Sequence, residues 1–311
     1  MLSIAILAQK SFADKYENQR LLKEFAKLGH KVTLINIDNI ILNTTSTVNA
    51  DFYNEESDSF EPLLGFDIYF VREVFVYMKS VITLLQWLKT QATVVDNNLT
   101  DVQYLNDKLR QIPDLLKNEI PFPKTLFFHE YSTFMNSLDY LETKLGYPVI
   151  AKKKGSGKGM GVYKFDNRKQ LTDFFTQQIK THRFAEKVLK LFIFQEFLPI
   201  HKEYRVFVLN NKVLGTMQRI PKEGDFRANF SLGGTVKLAS LSPEHEQLCI
   251  NAAKATKAYI AGVDLALTTD NEPYIIEVNR TPGFRGLEKA TGQNIAKEIA
   301  KTVLEIAKSQ N

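Results

Sequence analysis

One cysteine in 311 residues, Cys249, excludes an internal disulfide framework and fits a reducing cytoplasm; its place on a predicted helix makes it a core residue. No apolar run approaches the ~20 residues that cross a bilayer. The opening MLSIAILAQK holds only a short apolar stretch with no basic segment before it, which reads as a first strand and not as a signal peptide. The histidines, His30, His129, His182, His201 and His245, show no metal-ligand spacing and read as structural or solvated, and no Ser/His/Asp or Cys/His arrangement supplies a hydrolase nucleophile. No G-x-G-x-x-G follows the first strand, so dinucleotide binding lacks its fingerprint, and Gly157-Lys158 is not followed by Ser or Thr, which excludes a Walker A loop. There is no long low-complexity run. With 44% hydrophobic and 24% charged residues the chain is a folded soluble protein large enough for two or three domains. Forty basic against 35 acidic residues, net +5, favour anionic ligands: nucleotides, acidic peptides or nucleic acid.

The chemistry centres on GVDLALTTDNEPYIIEVNRTPGFRGLEKATG, Gly262 to Gly292. Val263–Leu267 and Tyr274–Val278 are short β-rich runs separated by the turn-forming Thr268–Pro273, a hairpin pattern. If Thr268 and Pro273 close the loop, Asp264 faces Glu277, Asn279 shares the face of Glu277, and Tyr274, Ile276 and Val278 point into a core. Opposed like charges destabilise a sheet unless something neutralises them. Two carboxylates and an amide oxygen, with no His or Cys, suit Mg²⁺ held jointly with substrate phosphates, with Mn²⁺ as the alternative. An ordinary solvated hairpin end would have the same letters.

Upstream, strands and helices alternate over residues 1 to 96: Ser3–Ala8, a helix from about Asn18 to Leu28 stopped by Gly29, Lys31–Ile37, Asp67–Arg72, a helix near Ser80–Leu88, and Ala92–Asp96. That order predicts a parallel α/β unit, with Asn43–Ser59 as a polar loop. Arg72 ends an apolar strand and is either structural or turned toward a cleft. A helix opens at Asp107-Lys108-Leu109-Arg110 and ends before Pro121; strand Lys124–Phe128, helix Ser132–Leu145 and strand Pro148–Lys152 follow. Next come four glycines in seven residues, Gly155-Ser156-Gly157-Lys158-Gly159-Met160-Gly161, a loop whose backbone N–H groups could approach phosphate oxygens without obstruction by Cβ atoms. Phe192–Phe197 is an apolar strand carrying Gln195-Glu196, and Tyr204–Leu209 and Lys212–Gln218 pair through Asn210-Asn211. The charged loop Arg219–Asn229 emerges from that hairpin. Ser242-Pro243 starts a helix with Leu248, Ala252, Ala255 and Tyr259 on one face, ended by Gly262, and a last helix covers about Ile295–Ala307.

RIPKEGDFRANFSLGG and EVNRTPGFRGLEKATG resemble the ATP-grasp ligases of the RimK type, which add glutamate to the C-terminus of a ribosomal protein. The similarity is dense from about Asp107 to Ile306 and thin before. It implies an α/β fold of ATP-grasp type: a parallel pre-ATP-grasp domain over 1–96, then α+β subdomains over 97–187 and 188–311. It further implies that Lys108, Lys152 and the backbone of Gly157, Gly159 and Gly161 contact nucleotide phosphates, and that the hinge Gln195, Glu196, Phe197, Leu198 holds adenine. Glu203 would hold ribose where the family tends to carry Asp. Arg219 would offset charge on the transferred phosphoryl group with Asn229 assisting, and Asp264, Glu277 and Asn279 would bind the metal. The implied activity is an ATP-dependent carboxylate–amine ligase using glutamate and an acidic peptide or protein acceptor, cytoplasmic, with no membrane partner, nucleic acid disfavoured and a homo-oligomer left open. The alternatives are a ligase of the same fold making a small peptide, cofactor tail or carrier-protein adduct, and a synapsin-like ATP-binding regulatory module.

Overall fold

The computed structural model describes residues 1–43, 49–74, 78–99, 108–154, 161–181, 188–222 and 235–310. The first region runs β1 (Ser3–Ala8), α1 (Lys10–Ala13), α2 (Tyr16–Lys27), β2 (Lys31–Asn36), β3 (Ile40–Asn43), β4 (Asn49–Asn54), β5 (Ser59–Pro62), β6 (Ile68–Val71), α3 (Met78–Gln91) and β7 (Thr93–Val95). Strands β2, β1, β6 and β7, in that order, form a parallel sheet. Nearly every side chain of β1 and β6 is buried, the continuous apolar pattern of strands covered on both faces. Gly29, at φ +84°, takes the left-handed position just beyond α2.

Where the sequence reads as a loop, β3, β4 and β5 form an antiparallel sheet of their own. In β4 only Ala50 and Phe52 are buried, so two alternating apolar residues among polar ones carry the whole period-two signal.

The middle region comprises α4 (Lys108–Lys117), β8 (Thr125–Leu126), α5 (Tyr131–Asn136), α6 (Leu138–Leu145), β9 (Val149–Lys153), β10 (Val162–Phe165), α7 (Arg168–Thr181) and β11 (Phe192–Glu196). Its antiparallel sheet, ordered β10-β9-β11-β8, packs an aromatic core of Phe128, Phe134, Phe175, Phe192 and Phe194. The single helix expected over 132–145 is two, broken at Ser137, whose backbone sits at φ −111°, ψ 18°. Asn136-Ser137 is a weak pair for a helix interior because both side chains compete for local backbone groups.

The last region holds β12 (Ile200–Leu209), β13 (Lys212–Ile220), β14 (Thr235–Ala239), α8 (Pro243–Ala255), β15 (Ile260–Thr268), β16 (Pro273–Asn279), α9 (Arg285–Thr291) and α10 (Ile295–Gln310). Its antiparallel sheet is ordered β14-β13-β12-β15-β16. Asn210 and Asn211, at φ 44° and 66°, make the β12–β13 turn. Ser242 Oγ accepts the N–H of His245 at the start of α8, which buries Cys249, Ala252 and Ala253 against Val206, Val263 and Leu265.

Gly262 does not end α8. The helix stops at Ala255, Lys257 takes the positive φ of 56°, and Gly262 lies inside β15. Finally, α10 returns to the first sheet: Ile295, Ile299 and Val303 share a core with Ile4, Ile6, Phe25 and Phe70. Among the described residues no helix is long and apolar enough to cross a membrane.

Candidate active site

Hairpin β15–β16 opposes Asp264 and Glu277 as the sequence predicts, with Val263 facing Val278 and Gly262 facing Asn279. Toward the loop the register slips by one, so that Leu265 faces Ile275. The bulge places Ile275 and Val278 in the core, while Tyr274 and Ile276 are only half-buried, a correction to the uninterrupted alternation expected for this strand.

The opposed carboxylates are offset by protein cations. Arg205 of β12 sits beside Asp264 in register, and Arg219 of β13 beside Glu203. Arg205 Nη2 donates to Asp264 Oδ2 at 3.1 Å, and its Nε makes a 2.6 Å ion contact with Oδ1 that lacks the alignment of a hydrogen bond. Arg219 Nη1 bridges two acids, 2.8 Å from Glu203 Oε1 and 3.1 Å from Asp264 Oδ2. Burial and then the Asp264 charge raise the pKa of the Glu203 carboxyl. Burial opposes the charge on Arg219, but Asp264 and Glu203 outweigh it and the guanidinium pKa is raised. Arg205 escaped the sequence reading. Its signal was alternation: in Glu203-Tyr204-Arg205-Val206, Tyr204 and Val206 are core residues, which leaves Glu203 and Arg205 on the other face.

Lys108, the first residue of α4, reaches Glu277 Oε1 at 3.5 Å. A residue not anticipated holds that helix in place: Gln111 donates to the carbonyl of Val278 and accepts its N–H, both at 2.9 Å, closing the free edge of β16. From the middle sheet, Lys152 enters the same electrostatic neighbourhood. Desolvation lowers its pKa to about 8, Lys108 adds to the lowering, and Glu277, Glu203 and Asp264 oppose it. The structure thus brings Lys108, Lys152, Glu203, Arg219, Asp264 and Glu277 together.

Gly161 closes β9 on β10, at φ +75° with its carbonyl accepting Lys153 N–H at 2.8 Å. Gly157, Gly159 and Asn229 lie outside the described residues. At the strand end, Gln195 is buried, donating to Thr125 Oγ1 at 2.8 Å while its Oε1 has no hydrogen-bond partner among the described residues. Glu196 is tied to Lys124: its N–H donates to the Lys124 carbonyl and its Oε1 accepts Lys124 N–H at 2.8 Å. Lys164 Nζ lies 4.9 Å from the centre of the Phe197 ring, and the carbonyl of Leu198 accepts Ile200 N–H.

The donor set suits a hard cation. Asp264 Oδ1, in ion contact with Arg205 Nε, is buried without a hydrogen-bond partner among the described residues, and Glu277 is partly open to solvent. Asn279 Oδ1 accepts the N–H of Thr281 at 2.9 Å and keeps a second lone pair. Among the described residues no three His, Cys, Asp or Glu side chains gather as a metal cage. Phosphate and water oxygens would therefore complete the shell, the usual habit of Mg²⁺.

Two antiparallel sheets that share a lysine–carboxylate cluster, beside a parallel α/β unit, define an ATP-grasp ligase. Residues 105–303 match the RimK-like ATP-grasp domain, and the chain belongs to that family. A probable alpha-L-glutamate ligase of Marinobacter nauticus is 31% identical over 307 residues, covering 95% of this chain and 93% of that protein. The crystal structure of a RimK domain ATP-grasp protein from Sphaerobacter thermophilus superposes with a TM-score of 0.70 at 19% identity, over 97% of this chain and 99% of that one. The ATP-grasp ligase PsnB, complexed with minimal precursor, Mg and ADP, superposes with a TM-score of 0.63 at 16% identity over 98% of each chain; it has also been solved with precursor peptide PsnA2 and AMPPNP. The protein is an ATP-dependent, ADP-forming ligase that makes carbon–nitrogen bonds.

Proposed function

We propose that this ligase adds glutamate to the carboxyl end of an acidic peptide or protein. The observation that carries the reading is the convergence of Lys152, Lys108 and Arg219 on Glu203, Asp264 and Glu277, a site built to bind and align phosphate charge without a protein nucleophile. A carboxylate oxygen of the acceptor attacks the γ-phosphorus of ATP, and the bond to the β,γ-bridging oxygen breaks to leave ADP and an acylphosphate. The amine of glutamate then attacks the acyl carbon, phosphate departs and an amide remains. Lys108 and Lys152 neutralise phosphates present in bound ATP, while Arg219 meets charge that develops on the phosphoryl group in flight. Asp264, Glu277 and Asn279 would hold Mg²⁺, which lowers repulsion between nucleophile and phosphates. Gln195 to Leu198 would receive adenine, Glu203 ribose hydroxyls, and the backbone of Gly157, Gly159 and Gly161 phosphate oxygens, with Asn229 beside them.

Glutamate as the added amino acid is supported by the curated relatives, which carry the name probable alpha-L-glutamate ligase. A peptide acceptor is supported by PsnB, solved with a precursor peptide. An acidic one is in keeping with the excess of basic side chains, which favours anionic ligands. The test is incubation with ATP, Mg²⁺, glutamate and a panel of acidic peptides, read by mass. Glutamate-spaced additions on a peptide are the expected result; ADP with only free dipeptides would reassign the acceptor to a small molecule.

A further inference from the structure

Among the described residues Arg72 heads the large fully buried side chains, 1% exposed, yet its Nε and Nη2 have no hydrogen-bond partner there. A buried cation without partners is costly, and proteins normally pair it or replace it. Each of the two acids near enough to act on its charge is engaged elsewhere through one oxygen, and Glu73 Oε2, buried as well, makes no hydrogen bond to Arg72. Glu73 Oε1 takes Lys15 at 2.8 Å, and Glu17 Oε1 accepts the N–H groups of Phe284 at 3.1 Å and Arg285 at 3.3 Å. Among the described residues the guanidinium has a 5.9 Å approach to the Phe70 ring. Nε and Nη2 form the side-on fork of the guanidinium, two parallel donors spaced for the two oxygens of a carboxylate.

The position is as telling as the lack of partners. Arg72 follows the last residue of β6, and its N–H donates to the carbonyl of Leu7 in β1, 2.9 Å away. In a sheet ordered β2-β1-β6-β7 the chain leaves β1 toward β2 on one side and β6 lies on the other, so the seam between β1 and β6 is the topological switch point. Beyond the carboxyl ends of strands at such a seam, open parallel sheets bind ligands. Glu17 ties this seam to the reaction centre, since it holds the start of the segment at Phe284, just past Asn279 on the strand that carries Glu277.

Resting on the ligase reading above, we infer that the Arg72 fork takes a carboxylate of the incoming amino acid, one that survives the reaction. The carboxylate that is phosphorylated must lie among Lys152, Arg219 and the phosphates, on the other two sheets. A side chain this enclosed suits a free amino acid better than a polypeptide threading past it. The Arg72 site would therefore set specificity for the added residue and leave the nucleotide to other groups.

The test compares wild type with R72M and R72K, loaded with ADP and Mg²⁺, by calorimetric titration of L-glutamate, alongside thermal midpoints and ATP affinity. Loss of a charge-assisted bidentate contact should weaken glutamate binding on the order of tenfold to a hundredfold in R72M. R72K, which keeps charge but not the fork, should fall between. ATP affinity should hold within about twofold, and the R72M midpoint should be unchanged or higher because an unpaired buried cation is gone. Equal glutamate affinity in R72M and wild type, no glutamate binding by wild type, or a joint fall of stability and ATP affinity in R72M would each overturn the site. The two readings separate cleanly. Glutamate binding through Arg72 without ADP release in the peptide assay keeps the site and loses the ligase substrate, whereas peptide glutamylation unaffected by R72M does the reverse.

Discussion

Gly262 and Arg205 occupy space that a single added carbon would contest: a Cβ on Gly262 would lie 2.5 Å from Arg205 Nη1. The same carbon would lie 2.8 Å from Cβ of Pro282, a ring that cannot swing aside as a flexible side chain can. Glycine here buys room for a guanidinium to cross the sheet and reach Asp264. Gly262→Ala should cost about 1–3 kcal/mol by overpacking and displace Arg205 from Asp264. Thermal denaturation would read the first effect and ADP release the second; a variant equal to wild type in both would show that the contact relaxes freely.

Glu277→Gln should lower turnover on the order of a hundredfold or more and leave the fold intact. Among the described residues its ion pair is with Lys108 at 3.5 Å and its side chain is a third exposed, so the pair contributes less than about 1 kcal/mol to stability. The loss would come from one fewer charge on the proposed metal. ADP release and the thermal midpoint, measured together, check it; wild-type turnover at ordinary Mg²⁺ would remove Glu277 from the metal site.

Arg219→Met should damage stability as well as transfer. Removing the guanidinium leaves Glu203 and Asp264 facing each other with Arg205 as the remaining cation at Asp264, a cost on the order of 3 kcal/mol at neutral pH. The deficit should shrink in mild acid as Glu203, whose pKa is already raised, takes up a proton. A melting series across pH, with single-turnover phosphoryl transfer, tests both parts. A variant that melts like wild type would mean the carboxylates find other partners.

Lys152 gives a pH signature. Its pKa in the free protein is about 8 against an ordinary 10.5, so below pH 8 it is charged both folded and unfolded and carries the full penalty of burial. Between about 8 and 10.5 the unfolded chain binds the extra proton, so stability rises with pH across that window, and this rise should vanish in Lys152→Met. Bound phosphates would favour the charged form. ATP affinity should then be level below pH 8 and fall above it in wild type, and lie weaker but flat in the variant. Titrations from pH 7 to 9.5 would show this; a flat wild-type profile would place the phosphates away from Lys152.

Much of the candidate site was legible because local rules reach it. The period-two pattern and the turn before Pro273 place Asp264 opposite Glu277 without reference to the rest of the chain. The bulge beyond Asp264 was not legible, since it depends on how Ile275 and Ile276 compete for one core position and no glycine marks it. Arg205 and Gln111 were missed for a related reason. Their roles are set by neighbours brought alongside through sheet order and helix placement, Asp264 from β15 and Val278 from β16, and sequence spacing says nothing about either. In the fold, β4 was hidden by polar letters and Gly262 was misread as a helix stop because a glycine kept for space resembles one kept for conformation.

The return of α10 to the first sheet has a consequence for how the chain is made. Ile4, Ile6 and Phe70 leave the ribosome well before Ile295, Ile299 and Val303, which share their core and lie far downstream in the chain. Until α10 is made the parallel sheet waits with that flank covered in part, by Leu21 and Phe25 of α2, a condition that invites association with other chains or a chaperone. Release of α10, and not completion of β1 to β7, would set the moment at which this sheet becomes native.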